Sequence, residues 1–175
     1  MKVTLSTEAL AKCRADLLAV GVRKGALEKD AALKALDRAT KNAIKNAAKL
    51  EDFSGKTGEV LRVAVRGVGA KVVLLVGLGD GAPKAKDARA VAVRGAGAAA
   101  KYQSVAIAVV GEGADAIAAA AEGVLTGCHK FTRYLTGERV PKRQLESAKL
   151  VIAKRDAGSQ RALERGVVLA DSIKL

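Results

Sequence analysis

Apolar residues fall along this chain in two rhythms. Short β-branched or leucine-rich runs recur near residues 2–5, 15–20, 59–65, 71–76, 104–110 and 146–152, each bounded by glycine or polar residues, and read as strands. Between them, apolar positions recur at three- and four-residue steps over about 30–50, 84–101, 114–135 and 157–172, and read as helices. Strand and helix therefore alternate along most of the chain, which predicts an α/β fold with a central sheet of about six strands. The runs LLVG and AIAVV show no polar alternation, as expected of central strands covered on both faces.

The stretch 30–50 carries the clearest helical pattern. Leu33, Leu36, Ala43, Ile44, Ala47 and Leu50 would form its buried face. Read as one helix, it places Lys34, Arg38, Lys41, Lys45 and Lys49 within an arc of roughly 80° on the opposite side. Such a stripe is either a solvated face or a ridge that tracks phosphates. Asp37 is the acidic residue nearest to it, so ion pairing does not account for the run of cations.

Composition narrows the function classes. With 175 residues, half of them apolar, the chain can build one domain over 1–175 with a proper core. No uninterrupted apolar stretch is long enough to span a membrane and the first residues lack a signal-peptide core, so a soluble, cytoplasmic protein without membrane contact is expected. Cys13 and Cys128 stand far apart, with no C-x-x-C, and read as reduced thiols. The net charge of +13, from 31 Lys and Arg against 18 Asp and Glu, points to a polyanionic partner such as nucleic acid, although an acidic protein or plain solubility would produce the same imbalance. Phe53, Tyr102, Phe131 and Tyr134 are too few for base-stacking platforms, so duplex DNA bound through its phosphates is the form a nucleic-acid role would take.

Candidate chemistry is sparse. The stretch VGLGDGA, with Gly77, Gly79 and Gly81 after a strand, matches the spacing of a dinucleotide fingerprint. It lacks a carboxylate about twenty residues on, and it follows two earlier strands and a long helix instead of opening the fold. The glycines read as a sharp strand end, and no cofactor is expected. Gly55-Lys56-Thr57 lacks the glycine five residues upstream that a phosphate-binding loop needs, because Leu50 occupies that place. Cys128 and His129 would project about 100° apart on a helix and so cannot readily share a proton. With one histidine and scattered acids, no catalytic residue and no metal ligand is assigned.

Taken in order, ADLLAVGV at 15–22, EDFSGKTGEVL at 51–61, KVVLLVGLG at 71–79, AEGVLTGCHKFTRYLTGE at 121–138 and RGVVLADSI at 165–173 resemble the N-terminal domain of the cytosolic leucyl aminopeptidase family. The pattern of Gly127, Phe131 and Tyr134 is the most specific element of that likeness. His129 stands where the family usually has Tyr, and Leu135 replaces a customary Lys or Arg. The ending Asp171-Ser172-Ile173-Lys174-Leu175 departs from the family's connection to its catalytic half. The resemblance implies a three-layer, macro-domain-like fold with a mixed sheet and helices on both faces. It also implies a non-catalytic role, because no string like the family's Asn-Thr-Asp-Ala-Glu-Gly-Arg metal motif occurs. Such domains help arrange hexamers, and in some bacterial members contribute to DNA binding, while the macro-like fold raises ADP-ribose as a ligand. The resulting expectation is an excised or free-standing domain acting through self-association and DNA binding. A regulatory module that binds another protein is the alternative.

Overall fold

The structure is a computed structural model and describes residues 1–128 and 145–173. All six strands foreseen in the pattern are present: β1 (Lys2–Ser6), β2 (Ala15–Arg23), β3 (Val60–Ala64), β4 (Ala70–Gly79), β5 (Ser104–Ala108) and β6 (Ser147–Val151). They form one mixed sheet in the order β1-β6-β5-β2-β4-β3, in which every neighbouring pair is parallel except β3 with β4. The parallel core explains the unbroken apolar runs. Leu18 pairs with Val73 on one side and Ala106 on the other, so β2 is hydrogen-bonded along both edges and covered on both faces.

The helices are α1 (Ala31–Ala39), α2 (Ala43–Leu50), α3 (Ala85–Ala98), α4 (Gly113–Cys128) and α5 (Ser159–Ile173). Because successive side chains on a strand point to opposite faces, β2 sends Leu17 and Ala19 into a core roofed by α3, α4 and α5, and Leu18, Val20 and Val22 into a second core under α1 and α2. Helices cover both faces of the sheet, which is the three-layer arrangement expected. The foreseen extension of α4 to residue 135 lies outside the described residues, as do Phe131 and Tyr134.

The prediction of one helix over 30–50 is corrected. Lys41 and Asn42 have φ of 55° and 61°, and this left-handed pair splits the segment into α1 and α2. Buried Asp37 organises the break: its carbonyl accepts the Asn42 N–H at 2.8 Å and the Thr40 hydroxyl at 2.9 Å, and its carboxylate accepts the Lys45 N–H at 3.0 Å. Asn tolerates the left-handed region better than most residues, and Asp37 supplies acceptors for donors that a helix terminus leaves unpaired. Ile44 and Ala48 are buried, whereas Leu50, expected in the core, is 84% exposed.

Candidate nucleic-acid interface and the carboxyl-edge cleft

The five cations of the expected stripe are all exposed, but they do not share one helix face. Lys34 and Arg38 belong to α1, Lys41 to the break, and Lys45 and Lys49 to α2. The chain enters α1 just after the carboxyl end of β2. At the far end of α1, a Cβ built on Gly67, in the β3–β4 turn, would lie 3.0 Å from Ala39 O. From there α2 returns the chain to the carboxyl edge, where Ser54 O accepts the Gly25 N–H at 3.4 Å. Arg38 and Lys41 therefore sit at the amino edge of the sheet and Lys49 lies toward the other. Lys45 is engaged by Glu28 at 3.2 Å. The sequence missed this because two consecutive left-handed residues leave no gap in the apolar spacing; the Thr-Lys-Asn triplet after buried Asp37 was the available signal.

At the carboxyl edge the glycines of VGLGDGA have a structural occupant. The loop 54–59 lies directly against the end of β4: Gly77 N–H donates to Glu59 O and Gly79 N–H to Gly55 O, both at 2.8 Å. A side chain on Gly77 would strike Lys56 O, and Gly79, at φ +74°, would strike Thr57 Oγ1. Protein backbone fills the place where a pyrophosphate would need to approach. Ser54-Gly55-Lys56 does form a nest of amides, but the carboxylate of Glu59 fills it, accepting their N–H groups at 2.8, 2.9 and 3.1 Å. These donors, Ser54 first, hold the Glu59 carboxyl below its ordinary range.

A cleft of about 670 Å³ opens at the carboxyl ends of β2 and β5. The chain leaves β2 toward α1 and β5 toward α4, on opposite faces, and such divergence leaves a crevice outside the strand ends. Its wall is mainly aliphatic, including Leu33, Leu36, Val20, Leu78, Val109 and Val110. Of its charged groups, Arg23 is held by Asp87 at 3.4 Å and Asp30 caps α1 by accepting the Leu33 N–H at 2.9 Å. It can seat an apolar body. Among the described residues no group of three or more His, Cys, Asp or Glu side chains is placed to hold a metal. Cys13 is buried, and that burial raises its thiol pKa. Cys128 lies on α4, while His129 is outside the described residues.

Residues 19–138 match the family model described as the cytosol aminopeptidase family, N-terminal domain. The chain belongs to the cytosol aminopeptidase family. A probable cytosol aminopeptidase of Streptomyces griseus is 34% identical over 98% of this chain and 37% of its own length, and one of Ralstonia pickettii is 46% identical over 46% of this chain and 16% of its own. Among solved structures, a mutant tomato leucine aminopeptidase superposes on the whole chain with a TM-score of 0.85 at 23% identity, over 37% of that protein. The macro domain of ganglioside induced differentiation associated protein 2 superposes with a TM-score of 0.65 at 16% identity, covering 94% of this chain and 84% of that domain. This cytosol aminopeptidase domain is thus macro-like in fold, and it spans a little over a third of the aminopeptidases it matches from end to end. No helix among its described residues is long and apolar enough to cross a membrane.

Proposed function

We propose that residues 1–175 form a single, non-catalytic aminopeptidase N-terminal domain, cytoplasmic like the enzymes its relatives are named for, which serves subunit assembly and binds duplex DNA without sequence preference. The match of the N-terminal family model to residues 19–138 carries this reading. The charge of +13 supports the DNA role, since phosphate neutralisation by Lys and Arg drives non-specific binding. On this reading pure protein supplied with Mn²⁺ or Zn²⁺ should not turn over a leucyl amide; robust hydrolysis would sink the non-catalytic reading. Fluorescence anisotropy with a labelled duplex at two salt concentrations tests the other half. Micromolar affinity that weakens steeply with salt is the expected result, and no binding at low salt would remove the DNA role.

A second reading, a module that docks on another protein, is favoured by α5. Val168 and Leu169 are 64% and 46% exposed, next to a shallow groove lined by Met1, Val3, Leu125 and Val167. If light scattering shows a monomer and extract pull-down recovers protein without nucleic acid, this reading replaces the first.

A further inference from the structure

We infer that the polyanion-binding surface is the amino edge of the sheet, and that its ligand is the phosphate backbone of a duplex laid across the strand ends. This rests on the DNA reading above and relocates it away from the α1–α2 stripe. Backbone contacts trace the edge as one continuous rim. A Cβ on Gly67 would meet Ala39 O at 3.0 Å, and one on Gly69 would meet Lys12 O at 2.9 Å. Ala15 N–H reaches Gly69 O at 3.4 Å, and Asp16 Oδ2 accepts the Gln103 N–H at 3.2 Å. Gln103 O accepts the Glu146 N–H, and Glu146 O accepts the Lys2 N–H, both at 2.9 Å.

Along this rim the chain reversals carry cations. Arg38 and Lys41 come from the α1–α2 break, Arg66 from the β3–β4 turn, Lys12 and Arg14 from the approach to β2, and Lys101 from the approach to β5. All six are exposed, and none makes an ion pair among the described residues. Among the described residues of the strand starts, the acids are Asp16, which Lys71 engages at 2.7 Å, and Glu146. Six strands give a rim about 24 Å wide, the length of duplex that carries about 14 phosphate charges over both of its strands. The carboxyl edge differs in kind. There Lys24 stands 3.9 Å from Asp80, and Asp30, Glu112 and Asp156 are interspersed with the remaining lysines. The amino edge therefore gathers exposed cations at neighbouring chain reversals, with Glu8 close enough to Arg14 to feel its charge.

The test is a titration of labelled duplex DNA by the 175-residue chain at several salt concentrations, comparing two charge-reversed proteins. K12E/R14E/R66E should lose more than tenfold in affinity near 0.1 M salt, with its log–log salt slope flatter by about 2 to 3. The matched K24E/K29E/K154E protein, reversed at the opposite edge, should change less than threefold because screening confines each charge to about 10 Å. The charge-neutralised K12Q/R14Q/R66Q variant should reproduce the loss with an unchanged circular dichroism spectrum, which separates lost contacts from lost folding. If wild-type protein binds no duplex, the DNA role itself fails. Equal losses in the two reversed proteins, with wild-type binding intact, would overturn this placement alone. Tighter binding of polyglutamate than of duplex at the same salt would overturn it in favour of an acidic protein.

Discussion

The two helical layers are held together by opposite means. Under α1 and α2 the core is built from large aliphatics, with Leu33, Leu36 and Ile44 set against Leu18, Val73, Leu75 and Phe53. On the other face the α3, α4 and α5 interfaces are built mainly from alanine and glycine. A Cβ on Gly123 would lie 2.7 Å from Arg89 O, one on Gly127 would lie 2.5 Å from Val93 O, and one on Gly166 would collide with Ala118 O. Large side chains hold the first layer by area removed from water, at some distance from the sheet. Small ones hold the second by letting backbones touch, which gives dense dispersion contact and leaves no room for growth. One layer should therefore be sensitive to truncation and the other to enlargement.

The largest expected effect is on the first layer. Leu36→Ala should cost about 3 to 4 kcal/mol in urea unfolding, the transfer free energy of the lost methyl groups plus a cavity; a loss under 1 kcal/mol would mean that α1 collapses onto the gap and that its core is loosely specified. Gly123→Ala should come next. It should destabilise by about 1 to 2 kcal/mol, even though alanine favours a helix over glycine by about 1 kcal/mol, because the added carbon must push α4 off α3. A neutral or stabilising result would break the contrast between the layers. Since the two substitutions lie on opposite faces of the sheet, their effects should add within about 0.5 kcal/mol.

Asp16→Asn tests the seam between the layers rather than either one. Lys71, followed by Ser104 and Gln103, holds the Asp16 carboxyl below its ordinary range by hydrogen bonding, and Glu59 is lowered by the loop amides. A lowered carboxyl pKa contributes stability above its unfolded value, near 4, and that contribution is lost as pH falls through the folded value. The melting temperature should accordingly hold steady between about pH 7 and 5 and drop below about pH 4. Asp16→Asn should cost about 1 to 2 kcal/mol at neutral pH and make the acid limb shallower. The smallest effect is expected at Leu50→Ala, within about 0.5 kcal/mol because the side chain stands in solvent. A large loss there would restore the single-helix reading.

How far the sequence could be read depended on the range of the interactions concerned. The six strands were legible because each is a local β-branched or leucine-rich run, unbroken in the central strands covered on both faces and alternating in the edge strand β3. The glycines of VGLGDGA were read as a sharp strand end because the partners of a dinucleotide fingerprint are missing. Their positive reason was hidden, since Gly77 and Gly79 make room for the loop 54–59, far upstream in the chain. The α1–α2 break was likewise hidden in a spacing that stayed helical, and with it the true company of Arg38 and Lys41. The cleft between α1 and the ends of β2 and β5 had no signature, being made of ordinary aliphatics gathered from five elements.

By itself, then, the sequence determined the alternation of strands and helices, the burial of the parallel core, the excess of positive charge and the kinship to aminopeptidase N-terminal domains. These depend on residue type and near-neighbour spacing. The tertiary structure decided the strand order, the reversal at Lys41 and Asn42, the filling of the amide nest by Glu59 and the gathering of cations at the amino edge. Each of these is a meeting of residues distant along the chain, set by which backbone groups find hydrogen-bond partners and which faces can be buried together.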